Sequence, residues 1–373
     1  MKKKILLIAN FSETGGTLTY FKQLVKLLIT KEDVHLHLFL KKHHFNEDIL
    51  RFIKYNNLQY SIYHIPNIAL KRVIGSRFNQ YISVILSFLY LFIKYLIHRP
   101  HLIIQSTGSH TLFNLFLLPT KVLLIQHSLQ LSSLDRINTT ILSGFLGHHK
   151  RIITVSTFAK NSLIKAFQIN SKKSVFCDSI YNSHITLNIK DKQPINTKIT
   201  ILTLGHVEKY KNPKFFFDVA KKLISKYNNI EFIWAGKGSL LEKFRDRTQA
   251  YNNICFIGHQ NNISDLYTNS SIYFQPSMLE SHGISILGAM ATKLPCVVAN
   301  IGGMPESVVH NQTGFVYESN NLSEAINYIE KLMENTELRQ QFGENGYNRY
   351  KELFTPAVWE YNMSTFLKEN FNV

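Results

Sequence analysis

The stretch from residue 276 to residue 303 has the residue types and spacing that could do the most specific chemistry. An apolar run ends at Gln275, a loop with a single carboxylate, Glu280, follows, and an apolar helix is predicted to open near Gly283. Backbone N–H groups are unpaired at the start of a helix and the helix dipole favours negative charge, so this opening would bind a diphosphate. Glu280 could accept hydrogen bonds from sugar hydroxyls. The alternative is an acid that only offsets the helix dipole.

Two further loops follow apolar strand patterns. Residues 10–17 include Gly15 and Gly16 directly before a helical pattern, where backbone N–H groups could approach an anion. Residues 204–213 link a strand pattern to a helix, and a lysine at this place could neutralise a phosphate as a point charge. The alternative is a solvated loop lysine, which we expect for Lys209.

The elements that must position these loops are short β-branched runs alternating with helical patterns, which is typical of parallel sheets built from βαβ units. The polar segment 188–198 is interpreted as a linker between two such series. Two parallel α/β halves make a cleft between the carboxyl ends of their strands, where open sheets bind ligands. The predicted strands are 5–9, 34–40, 102–105, 121–126, 151–155 and 175–177, then 199–204, 231–235, 254–258, 272–275, 296–299 and 314–316.

Helix boundaries are predicted from capping residues. Ser156 is expected to cap a helix over 157–167, and Asn212 with Pro213 is expected to occupy the N-cap and first positions of another. A helix is also predicted over 18–29. From residue 322 onward the pattern is helical, with a break near Pro356.

The charge of the chain is distributed unevenly. Residues 1–190 contain 24 Lys and Arg against 7 Asp and Glu, whereas residues 191–373 contain 18 of each. A one-sided positive field indicates an anionic partner, which would be nucleic acid, an acidic membrane surface or a phosphate-bearing substrate. Solvated lysine-rich helices are the alternative. Nucleic acid is disfavoured because no recognised binding motif is present.

Cysteine usage and hydropathy bear on the compartment. Cys177, Cys255 and Cys296 lie far apart in apolar runs with no CxxC pair, so we interpret them as reduced core residues, which favours the cytosol and no metal site. Residues 81–97 form the most apolar stretch but include Lys94 and fall short of the about 20 residues of a transmembrane helix. A buried or surface helix is predicted there, with membrane-surface contact as the alternative.

At these residues the chain resembles glycosyltransferase family 4. The family pattern P-S-x-x-E-x-F-G-L-x-x-L-E-A-M-A-x-G-x-P-V-V-A, followed by G-G-x-x-E, is matched over most of its length, and Gly205 with Lys211 resembles the family's G-R-L-x-x-x-K-G motif. Val155-Ser156 and Tyr181-Asn182 stand where the family has its V-S and Y-N-G signals. The matching residues of the long pattern are Pro276, Ser277, Glu280, Gly283, Leu287, Ala289, Met290, Ala291, Pro295, Val297, Val298, Ala299, Gly302, Gly303 and Glu306.

The resemblance implies an α/β GT-B fold, with two Rossmann-like domains whose parallel sheets face each other across a cleft. Residues 1–190 would bind the acceptor, residues 191–355 the nucleotide sugar, and the helix of residues 356–373 would pack back toward the first domain. The implied activity is retaining, metal-independent transfer of a sugar, without a cofactor, from a UDP- or GDP-sugar. The acceptor would be lipid-linked or a glycan, and the pathway would be the synthesis of capsule, lipopolysaccharide or exopolysaccharide. The protein would be cytoplasmic. Peripheral contact with an anionic membrane is an open alternative.

The resemblance also assigns residues to roles. Lys211 would contact the diphosphate, Glu280 the transferred sugar, and His127 would face the reacting sugar, with a core or capping histidine as the alternative for His127. Glu280 and His127 are thus the candidate catalytic residues. The implied donor contacts are Gly15, Gly16, Gly205, His206, Lys211, Glu280, His282, Gly283, Ile284, Ser285 and Gly288.

Three departures from the family pattern concern the donor. His206 replaces an arginine, Gly288 replaces the second glutamate, whose carboxylate would contact the ribose, and Asn182-Ser183-His184 replaces N-G-V-D. A catalytically weakened paralogue that acts as a binding or scaffold protein is therefore the alternative function. If the ribose pocket is only depleted, Gly288→Glu is expected to tighten nucleotide binding by roughly 1.5 to 3 kcal/mol.

Overall fold

The computed structural model of the protein describes residues 2–10, 16–40, 47–62, 88–107, 113–127, 144–184 and 198–373. The chain divides into two compact units. Unit 1 contains Met1–Ile180 together with Glu360–Val373, and unit 2 contains Tyr181–Trp359. The boundaries expected from the sequence are at 190 and 355, and most of the expected linker, residues 188–197, lies outside the described residues.

The described part of unit 1 is built on a parallel sheet. Its strands are β1 (Lys3–Asn10), β2 (Val34–Leu40), β3 (Gln59–Ile62), β4 (Leu102–Thr107), β5 (Lys121–Gln126), β6 (Lys150–Thr154) and β7 (Cys177–Ser179). They lie in the order β3-β2-β1-β4-β5-β6-β7. Its helices are α1 (Gly16–Ile29), α2 (Glu47–Tyr55), α3 (residues 88–98), α4 (Thr157–Ala166) and α5 (Ser171–Ser174).

Unit 2 has a second parallel sheet. Its strands are β8 (Ile199–Leu204), β9 (Ile230–Ala235), β10 (Ile254–Gly258), β11 (Ile272–Gln275), β12 (Cys296–Ala299) and β13 (Gly314–Tyr317). Their order is β10-β9-β8-β11-β12-β13. The helices are α6 (Pro213–Ile224), α7 (Leu241–Thr248), α8 (Ile263–Thr268), α9 (Ile284–Ala291), α10 (Met304–Ser307), α11 (Leu322–Glu334) and α12 (Thr336–Leu353).

The central strands of both sheets are buried, which is why they read as continuous apolar runs in the sequence. All six residues of β8 are buried, and so are all four of β11 and of β12. In unit 2 an aromatic cluster fills the space between α6 and the sheet. The Phe216 ring lies edge-on to Trp234, with centroids 5.1 Å apart, and to Phe256 at 5.6 Å. The sheet is thereby held as a rigid platform for the loops that follow its strands.

In each sheet, the side on which successive strands are added switches once along the chain. In unit 2 the chain adds β9 and β10 on one side of β8, then crosses to add β11, β12 and β13 on the other side. The loops after β8 and β11 therefore diverge from neighbouring strands at the same edge of the sheet, where open α/β sheets bind ligands. In unit 1 the corresponding neighbours are β1 and β4.

Most predicted strands are confirmed within a residue or two, and β2, β5, β8, β10, β11 and β12 have the predicted bounds. Two predictions were incomplete. β3 was missed, and the strand predicted at 175–177 instead starts at Cys177, because Val175 ends α5 and is exposed. The apolar stretch 81–97 is helical over its described part, residues 88–97.

The predicted helix starts are also present. The Ser156 side chain accepts a hydrogen bond of 3.0 Å from the N–H of Ala159. Asn212 occupies the N-cap position of α6, but in a left-handed backbone conformation (φ 61°), and its side chain bonds to Asn320 instead of capping the helix. The helical last third is interrupted at Asn335, which caps α12 through its side chain, as well as before Pro356.

The last helix, α13 (Pro356–Phe371), begins in unit 2, and its residues from Glu360 onward belong to unit 1. Met363, Leu367 and Phe371 are buried. The Lys121 Nζ donates to the carbonyl of Phe371 at 3.2 Å, and Lys3 donates to the carbonyl of Asn372. Residues from Glu360 onward therefore contribute to the core of unit 1.

We expect Leu367→Ala to lower the free energy of unfolding by about 2 to 5 kcal/mol, because it leaves a cavity where a fully buried side chain packs. The matched control is Tyr361→Ala in the same helix, because Tyr361 is exposed and its removal should cost little. Urea unfolding of the two variants measures the difference. Equal stability would mean that α13 does not pack as described.

Candidate active site

The loops that follow β8 and β11 meet through an ion pair. Lys211, in the loop after β8, is paired with the Glu280 carboxylate in the loop after β11. Their side chains are only 12% and 15% exposed. The two residues that the family resemblance assigns to the diphosphate and the sugar are thus brought into direct contact. The pair is also the most closely confined charge arrangement among the described ion pairs of unit 2.

The loop after β8 is braced by a neighbouring loop that requires glycine. A Cβ at Gly236 would lie 2.0 Å from the carbonyl oxygen of Gly205, and one at Gly238 would lie 2.3 Å from that of Val207. The Val207 N–H donates to the carbonyl of Lys237 at 2.7 Å. The Ala235-Gly236-Lys237-Gly238 segment, interpreted from sequence as a turn, therefore sets the path of the Gly205–Val207 backbone.

This brace positions the lysine. An ideal Cβ on Gly205 would be 3.9 Å from the Lys211 Nζ, so the lysine side chain lies over the Gly205 backbone. The Lys211 amine is also 5.7 Å from the centre of the Tyr210 ring. The Tyr210 carbonyl accepts a 2.8 Å hydrogen bond from the N–H of Met278, which ties the two loops together beside the ion pair.

A buried polar network fixes the loop after β11. The Gln275 Nε2 donates to the Ser277 Oγ at 2.7 Å, and the Tyr273 hydroxyl donates to the Gln275 Oε1 at 2.5 Å. The Ser285 hydroxyl, in the first turn of α9, lies 3.4 Å from the same Oε1. The strand end, the Pro276-Ser277 turn and the helix start are therefore held by one amide side chain.

The glycine pair after β12 supports Glu280 from the other side. The Gly303 N–H donates to the Glu280 carbonyl at 3.2 Å. Gly302 has a left-handed conformation (φ 64°), and a Cβ there would lie 1.8 Å from that carbonyl oxygen. This close approach explains why the segment is Gly302-Gly303, and it orients the backbone that carries the Glu280 side chain.

The predicted helix opening is confirmed. Gly283 is the N-cap of α9 with φ 90°, a conformation that favours glycine, and the helix begins at Ile284. Ile284 and Ser285 are half-buried, so the first turn is accessible. The amides of this turn, the Lys211 amine and the Glu280 carboxylate together offer donors to an anion and an acceptor to hydroxyl groups.

His206 lies in the same loop as Lys211. Burial lowers its pKa, the nearby Lys211 lowers it further, and Glu208 opposes the shift. The imidazole is therefore neutral near pH 7 and cannot act as the cation that an arginine would provide there. The Glu208 carboxylate is engaged elsewhere, because it accepts hydrogen bonds from the Ser239 backbone N–H and hydroxyl at 2.5 and 2.7 Å.

The His282 side chain is packed among aromatic rings. It stacks on Tyr181, with ring centroids 5.1 Å apart and an interplanar angle of 11°, and lies edge-on to Phe354 at 5.4 Å. Neither ring nitrogen has a hydrogen-bond partner among the described residues, and burial lowers its pKa to about 3. These contacts assign the imidazole a packing position, while its backbone precedes the helix opening.

Gly288 lies in α9 at a position where side chains of other elements pack closely against the helix backbone. A Cβ at this position would be 2.5 Å from the Tyr267 hydroxyl oxygen and 2.9 Å from the His184 Nε2. The Tyr267 hydroxyl is held by its 2.7 Å hydrogen bond to the Ser285 carbonyl. The backbone of His184 is held by Tyr350, whose hydroxyl donates to the His184 carbonyl at 3.0 Å.

The structure corrects the expectation that Gly288→Glu would simply restore a carboxylate. The side chain would have to displace both Tyr267 and His184, which are buried. Sequence reasoning did not single out Tyr267, since a lone tyrosine in a short helix carries no motif. It noted Gly288 and His184 as separate departures, and the structure shows that they adjoin, so the glycine makes room for the histidine.

The remaining predicted site residues lie in unit 1. Gly16 is the first residue of α1, whereas Gly15 lies outside the described residues. His127 directly follows β5, and its Nε2 is 2.8 Å from the Ser106 Oγ at the adjacent strand β4. The Tyr20 ring packs edge-on against it at 4.5 Å, and burial lowers the His127 pKa to about 4. His127 is thus a neutral, hydrogen-bonded imidazole at the carboxyl edge of the sheet.

Comparison with known families decides what kind of domain carries the site in unit 2. Residues 186–349 match the family model described as glycosyl transferases group 1. Over this segment the chain is therefore similar to the group 1 glycosyltransferases. The match confirms the resemblance predicted from the 276–303 stretch, and it covers Gly205, Lys211, Glu280 and the opening of α9.

Curated relatives match part of the chain, among them the following two. CapM of Staphylococcus aureus, a capsular polysaccharide biosynthesis glycosyltransferase, is 25% identical over 231 residues, or 59% of this chain and 60% of that protein. The UDP-Gal:alpha-D-GlcNAc-diphosphoundecaprenol alpha-1,3-galactosyltransferase of Escherichia coli is 30% identical over 137 residues, or 35% of each chain. The chain thus spans between 35% and 60% of the length of these relatives.

Several solved structures match nearly the whole chain. A glycosyltransferase from Rickettsia africae has a TM-score of 0.78 at 16% identity, with 99% of this chain and 98% of that chain covered. A match at this low sequence identity is evidence for the fold alone. Together with the two parallel α/β units, it confirms the predicted α/β GT-B fold class with two Rossmann-like domains.

Replacing His282 by phenylalanine is expected to make the protein less sensitive to acid. The folded-state pKa of about 3 lies below the ordinary 6.5, so the unfolded chain binds a proton first as the pH falls, and stability is lost below pH 6.5. At pH 5 this loss is about 2 kcal/mol, which His282→Phe should recover. Chemical unfolding from pH 7 to pH 4 measures it.

The control for this comparison is His259→Phe, because His259 is exposed in the folded unit. A change that appears in both variants is then not due to the burial of His282. Parallel profiles for wild type and His282→Phe would show that His282 is not buried as a neutral group.

Gly288→Ala is expected to lower the free energy of unfolding by about 1 to 3 kcal/mol because its Cβ overpacks the Tyr267 and His184 contacts. Gly346→Ala is the matched control, since the nearest atom to its Cβ would be 3.8 Å away and alanine favours the helix. Thermal unfolding should separate the two variants. If Gly288→Ala is as stable as Gly346→Ala, Tyr267 and His184 do not fill the space beside Gly288.

Proposed function

We propose that the chain is a retaining, metal-independent glycosyltransferase that moves a sugar from a nucleotide sugar to a lipid-linked acceptor in the synthesis of a cell-surface glycan. The observation that carries the proposal is the Lys211–Glu280 ion pair beside the opening of α9, inside the segment that is similar to the group 1 glycosyltransferases. A cation, a carboxylate and a helix start lie close together there, since a Cβ at Gly283 would be 3.5 Å from the Glu280 side chain.

The donor would rearrange this pair. A diphosphate at the first turn of α9 competes with Glu280 for the Lys211 amine, because both are anions within its reach. Glu280, released from the lysine, would then accept hydrogen bonds from hydroxyls of the transferred sugar. Binding of the diphosphate thereby prepares the carboxylate for the sugar.

Charge stabilisation would come from the protein itself. As the bond between sugar and diphosphate breaks, negative charge develops on the leaving phosphate, and the Lys211 amine with the amides at Ile284 and Ser285 would stabilise it. Positioning of donor and acceptor would supply the rest of the rate enhancement. These groups account for a leaving nucleoside diphosphate without a metal ion.

We propose that His127 faces the reacting sugar, as the family resemblance implies. Its bond to Ser106 and its contact with Tyr20 fix the ring, and its lowered pKa keeps it neutral. A neutral imidazole can accept a hydrogen bond from a sugar hydroxyl or donate one to it, depending on its tautomer.

The acceptor class rests on the relatives and on charge. One relative is named for capsular polysaccharide biosynthesis, and another for transfer from UDP-Gal to a sugar on diphosphoundecaprenol. Residues 1–180 contain 23 Lys and Arg against 7 Asp and Glu, which suits an anionic lipid diphosphate. We propose a UDP-sugar donor, peripheral contact with an anionic membrane and a cytoplasmic location, where the thiols of Cys177, Cys255 and Cys296 stay free.

A weakened paralogue that binds without turnover is the second candidate. It is favoured by the neutral His206 and by the filled space at Gly288. Calorimetry with UDP discriminates between the two candidates, because an enzyme must bind the nucleoside diphosphate and a scaffold need not.

Glu280→Gln should lower kcat/KM for sugar transfer from a UDP-sugar to membrane lipid extract by roughly 10- to 100-fold, the effect of one charge-assisted hydrogen bond. Lys211→Ala should lower it by about 100-fold or more, since a group that stabilises the leaving phosphate is lost. Radiolabelled sugar transfer measures both. Lys209→Ala is the matched control in the same turn, because Lys209 is exposed and should be dispensable.

Removing one partner of the ion pair leaves a partly buried charge, so thermal unfolding of each variant is measured beside activity. The double variant Lys211→Ala/Glu280→Gln removes both charges. If it recovers stability but not transfer, the residues serve the reaction. Full activity in Glu280→Gln would refute the proposed role of the carboxylate.

A further inference from the structure

Helix α3 of unit 1 has apolar residues on both of its faces. On the inner face Leu91 is buried, and Phe88, Phe92 and Tyr95 pack against the core formed with β1, β4 and β5. A helix that is apolar all round is normally buried on all sides. This one is not, so its outer face requires a separate explanation.

The outer face carries four large aliphatic side chains in solvent. Leu89, Ile93, Leu96 and Ile97 are 48%, 54%, 49% and 64% exposed. Their spacing of three and four residues places them in one stripe along the helix. Within the described residues they form the longest such run of exposed aliphatic side chains on a single helix.

Cations flank this stripe. Lys94 lies between its residues, and the Lys94 Nζ is 5.6 Å from the centre of the Tyr90 ring, at the side of the helix. Arg99 directly follows the helix and is exposed. Next to it, exposed Lys4 is joined to His101 by a 3.0 Å bond from the Lys4 backbone N–H to the His101 Nδ1. Positive groups thus stand at the side and the carboxyl end of the stripe.

The surrounding sequence has no opposing charge. Residues 49–134, which include α3, contain eight Lys and Arg and not a single Asp or Glu. An aliphatic stripe edged by cations is the composition of helices that lie in the plane of an anionic membrane surface. No helix among the described residues is long and apolar enough to cross a bilayer.

We infer that the outer face of α3, defined by Leu89, Ile93, Leu96 and Ile97, docks on an anionic lipid surface, with Lys94, Arg99 and Lys4 at the level of the headgroups. A second copy of the chain fits the face poorly, because it would bring two positively charged surfaces together. Nucleic acid fits poorly as well, since four aliphatic side chains offer nothing to phosphate.

The inference specifies the surface behind the membrane contact in the proposed function, but it does not depend on sugar transfer. The test therefore uses the full-length protein without donor or acceptor. Co-sedimentation is measured with vesicles of phosphatidylcholine alone and of phosphatidylcholine mixed with phosphatidylglycerol. Binding is expected only to the mixed vesicles, and added salt should weaken it without abolishing it.

The decisive variant is Ile93→Ser/Ile97→Ser, which removes apolar groups from the stripe and should lower partitioning by roughly tenfold or more. Val175→Ser is the matched control, because Val175 of the same unit is 61% exposed and stands outside α3, directly after α5. It should bind vesicles like the wild type. Thermal unfolding checks that both variants are folded, which their exposure favours.

Three outcomes would overturn the inference: the wild type fails to bind the mixed vesicles, the double variant binds as well as the wild type, or Val175→Ser loses binding equally. Light scattering adds a fourth. A wild-type dimer that the double variant dissociates would assign the stripe to a second copy. Sugar transfer to a soluble acceptor is followed separately, so a failure of the proposed activity is distinguishable from a failure of docking.

Discussion

The contact between Lys211 and Glu280 closes two loops that leave neighbouring strands in opposite directions. Both side chains are mostly buried, and burying a charge without a partner costs free energy. Each residue therefore offsets the cost of burying the other. The pair joins residues far apart in the sequence, and it can do so only because β8 and β11 are neighbours in the sheet. The candidate site is therefore a consequence of the crossover in strand order.

Close backbone approaches keep that contact in place. Gly236 meets the carbonyl of Gly205, and Gly302 meets that of Glu280, at distances that leave no room for a side chain. The loops are consequently positioned by contacts between backbone atoms. Such contacts allow fewer alternative arrangements than contacts between flexible side chains. A ligand that draws Lys211 away from Glu280 would change the pairing of two side chains while the loops that carry them stay braced.

The sequence predicted the elements of unit 2 well because their strands are short, apolar and buried, and because glycine and proline mark their ends. β3 was missed for the opposite reason: Gln59–Ile62 is an edge strand with mostly exposed residues, so it has no apolar run. The residues of the site could be listed from the resemblance, but their pairing could not. Nothing in the order of residues says that Lys211 reaches Glu280, that His282 turns to Tyr181, or that Gly288 faces His184.

Unit 1 is made of two separate stretches of chain, since the residues from Glu360 onward complete it. A ribosome that has released most of unit 1 still lacks α13, with Leu367 and Phe371, which pack into that unit. Unit 2, by contrast, is one continuous stretch that ends at Trp359, in the first turn of α13. During synthesis unit 1 therefore lacks part of its core until the residues after Trp359 have been made, by which time all of unit 2 has been made.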